Sequence, residues 1–206
     1  STLLMAEGVP PALLKFLDLE QYQRSYTGEL AYKWLARKNE DQPVGIPAGD
    51  YTQANYFAIV YSKAALWMQY LYYYLGGDVF DSAMQQFYRD WEFKHPRPQD
   101  LEQSFSESTG QSLQWFFDTV LVANKEADLQ IVNYKAKKEQ LVVRNRGGLA
   151  LPFSISAVNR NDSIIKTTWF PAFTGKQTLS FQVPEEYRYL RIDQHHHIPE
   201  YDRTNN

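Results

Sequence analysis

The chain has 206 residues, 44% of them hydrophobic and 22% charged, which is a globular composition and not a disordered one. Lys and Arg number 21 against 24 Asp and Glu, a net charge of -3, so the sequence offers no concentrated basic field for a nucleic acid. Cys is absent, which excludes disulfides, thiolate zinc sites and thiol nucleophiles; of four His three are adjacent, which all but excludes a centre built from separated histidines.

The sequence opens Ser1-Thr2-Leu3-Leu4-Met5, with no basic segment leading an apolar one, so it predicts neither a signal peptide nor a transmembrane span. Such an opening is expected of a piece of a longer polypeptide. Pro10 and Pro11 suit a first helical turn, and Leu13, Leu14, Leu17 and Tyr22 follow at helical spacing. A second helix is predicted over about Ser25 to Lys38, with Leu30, Trp34 and Leu35 inward. Glu40 to Gly49 holds two Pro and two Gly and reads as a loop. The strongest helical signal runs from Gln53 to Leu75. Its expected inner stripe is Tyr56, Val60, Ala64, Trp67, Leu71 and Tyr74, and Gly76-Gly77 ends it. Asp78 is expected to cap a helix through Phe93, with Phe80, Met84, Phe87 and Trp91 on one face. Pro96 and Pro98 break the chain. A short helix over Asp100 to Ser108 stops at Gly110, and a last one spans Ser112 to Ala123, with Leu113, Phe116, Phe117 and Val120 inward.

From about residue 125 the period changes from helical to alternating. Short strands are predicted at Leu129–Asn133, at Leu141–Val143 and at Phe153–Ala157. Further ones follow at Ile165–Trp169, at Leu179–Val183 and around Tyr189–Ile192. Asn145-Arg146-Gly147-Gly148 is a hairpin-turn candidate, and Asn159 to Asp162 a second turn. The charge shifts at the same place: residues 1–124 carry -6 and residues 125–206 carry +3, while 11 of the 15 Tyr lie in the first part. The expectation is an α+β chain of two domains, an all-α N-terminal part over residues 1–124 and an antiparallel β-sandwich over residues 125–206.

Few residues offer chemistry. His195-His196-His197 point alternately on an extended chain, so they converge poorly on one ion and read as a polar C-terminal loop. His95, between Lys94 and Pro96, reads as a surface residue, and Asp78, Asp81, Asp90 and Glu92 as caps and solvated faces. Tyr70, Tyr72, Tyr73 and Tyr74 face different directions at the end of the long helix, so some must lie under another element, for which a missing neighbouring domain is one source.

One stretch stands apart. Tyr61-Ser62-Lys63-Ala64 resembles the "tyrosine, any residue, lysine, glycine or alanine" signature of the M1 family of zinc aminopeptidases. Leu71 to Gly77, the aromatic helix Phe80 to Phe93, Gln99-Asp100-Leu101, Ser108-Thr109-Gly110 and Leu113–Phe117 continue the likeness in order. Upstream, Met5-Ala6-Glu7-Gly8 resembles the family step that follows HExxH by about twenty residues. The tract Arg191-Ile192-Asp193, Pro199-Glu200 and Arg203 to Asn206 is similar to the end of the small sandwich of bacterial members.

The resemblance implies an enzyme in which two His and a downstream Glu hold zinc, the HExxH Glu activates water, and a Tyr hydrogen-bonds the oxyanion of the tetrahedral intermediate. Glu7 takes the place of the third zinc ligand and Tyr61 that of the oxyanion donor. They lie 54 residues apart, a short separation for the family. HExxH itself is absent, and no His precedes His95. The implied parent therefore binds zinc and cleaves N-terminal residues from peptides with HExxH supplied upstream in the same polypeptide. The chain itself is expected to be inactive and to bind no zinc at a catalytic site. The bacterial likeness gives a preference for the periplasm or cell envelope. The rival expectation is a non-catalytic module that binds a protein or a glycan through exposed aromatic side chains.

Overall fold

The computed structural model describes residues 26–200. Glu7, the predicted helix at Leu13 to Tyr22 and the last tract from Arg203 lie outside the described residues. The helical half comes first. It comprises α1 (Tyr26–Arg37), α2 (Gln53–Phe57), a π-helical turn (Ala58–Lys63), α3 (Ala64–Leu75), α4 (Gly77–Trp91), α5 (Pro98–Thr109) and a second π-helical turn (Trp115–Val120). Six strands follow: β1 (Leu129–Lys135), β2 (Gln140–Asn145), β3 (Phe153–Asn159), β4 (Ile164–Phe170), β5 (Gly175–Ser180) and β6 (Tyr187–Ile192). The fold is α+β, with helices before strands and the change falling between Val120 and Leu129.

The strands pair antiparallel in two three-stranded sheets, β1-β2-β5 and β4-β3-β6. The first sheet turns its Leu129, Leu141, Val143 and Leu179 toward Phe153, Ile155, Ala157 and Ile192 of the second, and all of them join one core cluster. Strand β3 is buried on both faces. Its apolar positions meet the other sheet, while Ser154 pairs across the ladder with Trp169, whose ring lies edge-on to Tyr70 and Tyr74 of α3. The β4-β3-β6 sheet is thus the middle layer, with helices on one side and the second sheet on the other. The buried polar Ser156 bonds Thr167 across that face at 2.9 Å, which keeps its hydroxyl satisfied away from water.

Local chemistry explains most element ends. Thr52 caps α2 by accepting the Asn55 N–H. Asp100 accepts the Arg97 N–H at 2.6 Å, with Pro98 in the first turn of α5. Gly110 ends α5 in the left-handed region at φ 68. Asp78 is not a cap: α4 starts at Gly77, and Gly76 before it, at φ 86, makes the turn. That helix stops at Trp91 and leaves Phe93 in solvent.

Several inward faces differ from expectation. In α1 the buried side chains are Tyr32, Lys33, Leu35 and Ala36, and Trp34 is 64% exposed under the Lys38 ammonium. In the helix from Gln53 to Leu75 the buried set is Asn55, Ala58, Ile59, Lys63, Trp67, Tyr70 and Leu71, and Tyr56 lies outside. The cause is the π turn, whose extra residue rotates everything before it relative to α3, so a 3.6-residue stripe cannot run through. Asn145 to Gly148 is not a hairpin turn, because β2 and β3 belong to different sheets. It is a crossover pinned by the Asn145 side chain, which donates to Leu149 O and Phe173 O and accepts the Gly148 N–H. The fifth strand ends at Ser180, short of the expected Val183.

Candidate active-site wall

The Tyr-x-Lys stretch falls on the π turn. The Ala64 N–H reaches back five residues to Ile59 O, which widens the helix by one residue. Tyr61 projects from this turn and is 61% exposed. Its ring stacks on Phe57 at 6.1 Å and meets Tyr56 edge-on at 6.4 Å. Three aromatic rings thus stand together in solvent, with a phenol hydroxyl among them as a hydrogen-bond donor.

Two positions further along, Lys63 is 3% exposed. Its ammonium donates to Asp41 Oδ2 at 2.7 Å and to Gln42 O at 3.0 Å, and it lies 5.3 Å from the Tyr32 ring. A buried ammonium needs such a partner set, because desolvation would otherwise drive it neutral. The loop that brings Asp41 is itself fastened. Asn55 Nδ2 donates to Glu40 O, the Thr52 N–H to Gln42 Oε1, and the Tyr51 hydroxyl to Val44 O. The Gly45 N–H donates to Leu121 O at the end of the second π turn. A Cβ at Gly45 would stand 3.2 Å from the Val122 side chain, so the close approach favours glycine there. Burial, followed by the Asp41 and Glu126 charges, pushes the Tyr32 phenol well above its ordinary value of 10.0.

Nothing in the sequence pairs Lys63 with Asp41. The available signal was a lysine four residues from apolar Ile59 and Trp67, which only burial on the helix face makes legible. The tyrosine run at the end of α3 is accounted for by this chain's own sheets, helices and C-terminal turn. Tyr70 donates its hydroxyl to Pro152 O, and Tyr73 stacks on His197 at 3.4 Å. Tyr74 meets Trp115 and Trp169 edge-on, and Tyr72 packs on Phe80. No neighbouring domain is required to cover them.

His195 to His197 sit in a turn organised by Asp193, which accepts the His197 and Ile198 backbone N–H groups. His197 Nδ1 is 4.0 Å from the same carboxylate. His95 is exposed. Among the described residues no three His, Asp or Glu side chains converge as a metal site. With HExxH missing from the sequence, the described residues do not fit a catalytic zinc. Glu7 lies outside the described residues. No helix of the described residues is long and apolar enough to cross a membrane.

The chain thus carries a long helix with a central π turn, a following aromatic helix and a two-sheet sandwich packed against them. Residues 20–120 match the model of the Peptidase family M1 domain, and this part of the chain belongs to the M1 peptidase family. Among solved structures the chain is similar to an aminopeptidase A of Legionella pneumophila, crystallised in complex with aspartic acid. The identity is 16% and the TM-score 0.54, covering 74% of this chain, so the likeness is one of fold. The chain spans 18% of the length of that protein. No curated protein matches the chain.

Proposed function

We propose that the chain forms the rear wall of the active-site cleft of an M1-type aminopeptidase and the small sandwich behind it. The observation that carries this reading is Tyr61, which stands in solvent on a π turn within the part matched by the family. π turns recur at functional sites because the extra residue re-aims one side chain without breaking the helix. In this role the Tyr61 hydroxyl donates a hydrogen bond to the oxyanion that forms when water attacks the scissile carbonyl. The exposed rings of Tyr56 and Phe57 flank it.

Zinc, when held by the complete site, supplies the activated water and polarises the carbonyl. Glu7 is the residue of this sequence proposed to contribute a ligand, beside two His of an HExxH supplied by polypeptide outside it. The division into a helical part, residues 1–124, and a sandwich, residues 125–206, belongs to the same proposal, as do a peptide substrate and a place in the bacterial periplasm or cell envelope. The sandwich buttresses α3 and adds no catalytic group.

The test compares this chain with a longer polypeptide that carries HExxH upstream, using aminoacyl p-nitroanilides and a zinc assay. The chain alone should release no nitroaniline, and the longer protein should release it and lose activity to a chelator. Glu7→Ala in the longer protein should lower its zinc content. Full zinc retention in that variant would remove the ligand assignment, and hydrolysis by this chain alone would overturn the division of labour.

A further inference from the structure

We propose that Lys63, through its buried ion pair with Asp41, is a positioning residue that holds the π turn and so aims Tyr61. The proposal rests on the reading of Tyr61 given above for its functional meaning, and on geometry for everything else.

The geometry begins with a row of buried side chains four residues apart: Asn55, Ile59, Lys63, Trp67 and Leu71. In an α-helix each step of four overshoots a full turn by about 40°, so four steps drift by about 160° and the row would spiral to the opposite face. The row stays buried because the π turn over Ala58–Lys63 takes up part of that rotation. A π turn has an α alternative that needs only a shift of hydrogen-bond partners. In that alternative the segment before Lys63 rotates against α3. The Lys63 ammonium would then part from Asp41 and Gln42 O, or else Tyr61 and Phe57 would change direction.

An ion pair is suited to choosing between the two. Apolar contacts tolerate rotation, whereas a buried ammonium separated from its carboxylate leaves two uncompensated charges. Fixing register is the best-attested use of buried polar groups. The other end of the pair is tied down as well, because Asp41 sits in the loop that Asn55, Thr52 and Gly45 fasten to the helix and to Leu121. The ammonium also lies over the Tyr32 ring at 5.3 Å.

The experiment uses this chain with 13C-labelled tyrosine rings, the Tyr61 signal being assigned by its loss in Tyr61→Phe. The probe variant is Lys63→Met with Asp41→Leu, which replaces the pair by apolar side chains of similar size and leaves no lone charge. The expected result is a shifted or multiplied Tyr61 ring signal that has lost its nuclear Overhauser contact with the Phe57 ring. The Tyr134 ring, in the sheet, should be unmoved. A folded double variant with the Tyr61 signal and its Phe57 contact unchanged would overturn the proposal. Should the double variant not fold, amide exchange in the unaltered chain decides. Ala64, which closes the π turn, and Gly45, which anchors the loop, should open together; a loop that opens while Ala64 stays protected refutes the clamp. The oxyanion role is tested separately by activity, so its failure would leave the measured positioning standing.

Discussion

Tyr61 and Lys63 lie two positions apart on one helix and meet opposite fates, one in solvent and one among the most buried side chains of the molecule. A tyrosine that donates to an oxyanion must be reachable, and a lysine that holds its backbone must not be. The same burial logic separates the other tyrosines. Tyr32 and Tyr70 are enclosed, and burial leads the causes that raise both phenols, Tyr70 well above 10.0 with Asp193 and Tyr74 adding to it. The folded state therefore holds these protons more tightly than the unfolded chain does. Stability is unaffected by them below the ordinary tyrosine value of 10.0 and falls as pH rises above it. In a stopped-flow jump to high pH, Tyr32 and Tyr70 should ionise only at the rate of unfolding, after the exposed phenols have finished. Ionisation of all 15 Tyr in the dead time would contradict the burial described.

At the scale of elements, what was legible in the sequence was what local chemistry decides. The helix at Tyr26–Arg37, the stop at Gly110, the inward set of Leu113, Phe116, Phe117 and Val120, and the alternation of the strands all follow from spacing and from turn residues. What was not legible came from partners distant in the chain. The π turn is invisible to a helical wheel, so Tyr56, Val60 and Ala64 read as core. Asn145 to Gly148 carries a hairpin's composition, but the next strand joins the other sheet. Gly147 shows why a glycine is needed there even so. A Cβ at that position would stand 2.1 Å from Glu126 O, a backbone atom that cannot turn aside. The Arg146 and Leu149 N–H groups bond Asp128 O and Glu126 O on either side, which locks the two segments together. Gly147→Ala should cost about 1–3 kcal/mol, the range for overpacking a fixed site. Urea denaturation followed by tryptophan fluorescence reads this directly, and an unchanged midpoint would show that the segments can part. The candidate site divided in the same way. The motif marked Tyr61, while Asp41 was undetectable because 22 residues separate it from Lys63.

Among the described residues the main core cluster runs from Trp67, Tyr70 and Phe105 through Phe116 to Phe153, Phe181 and Ile192, and a smaller one of Tyr32, Ala36 and Ile59 packs α1 against the π turn. Each large side chain so buried contributes roughly 1.5–3 kcal/mol, offset by the ordering of the chain. Because helices and sheets share the main cluster, α3 is backed by the β4-β3-β6 sheet, while the π turn rests on α1 through Ile59 and presents the Tyr56, Phe57 and Tyr61 rings to solvent on its other side. The arrangement suits a wall: rigid behind, chemically equipped in front. The role proposed for this front face is peptide hydrolysis through the Tyr61 hydroxyl. It is tested most directly by Tyr61→Phe in the longer, HExxH-bearing polypeptide, a change that removes one oxygen and keeps the ring. The expected result is a fall in kcat of roughly two to three orders of magnitude with KM little changed. An unaltered kcat would contradict it.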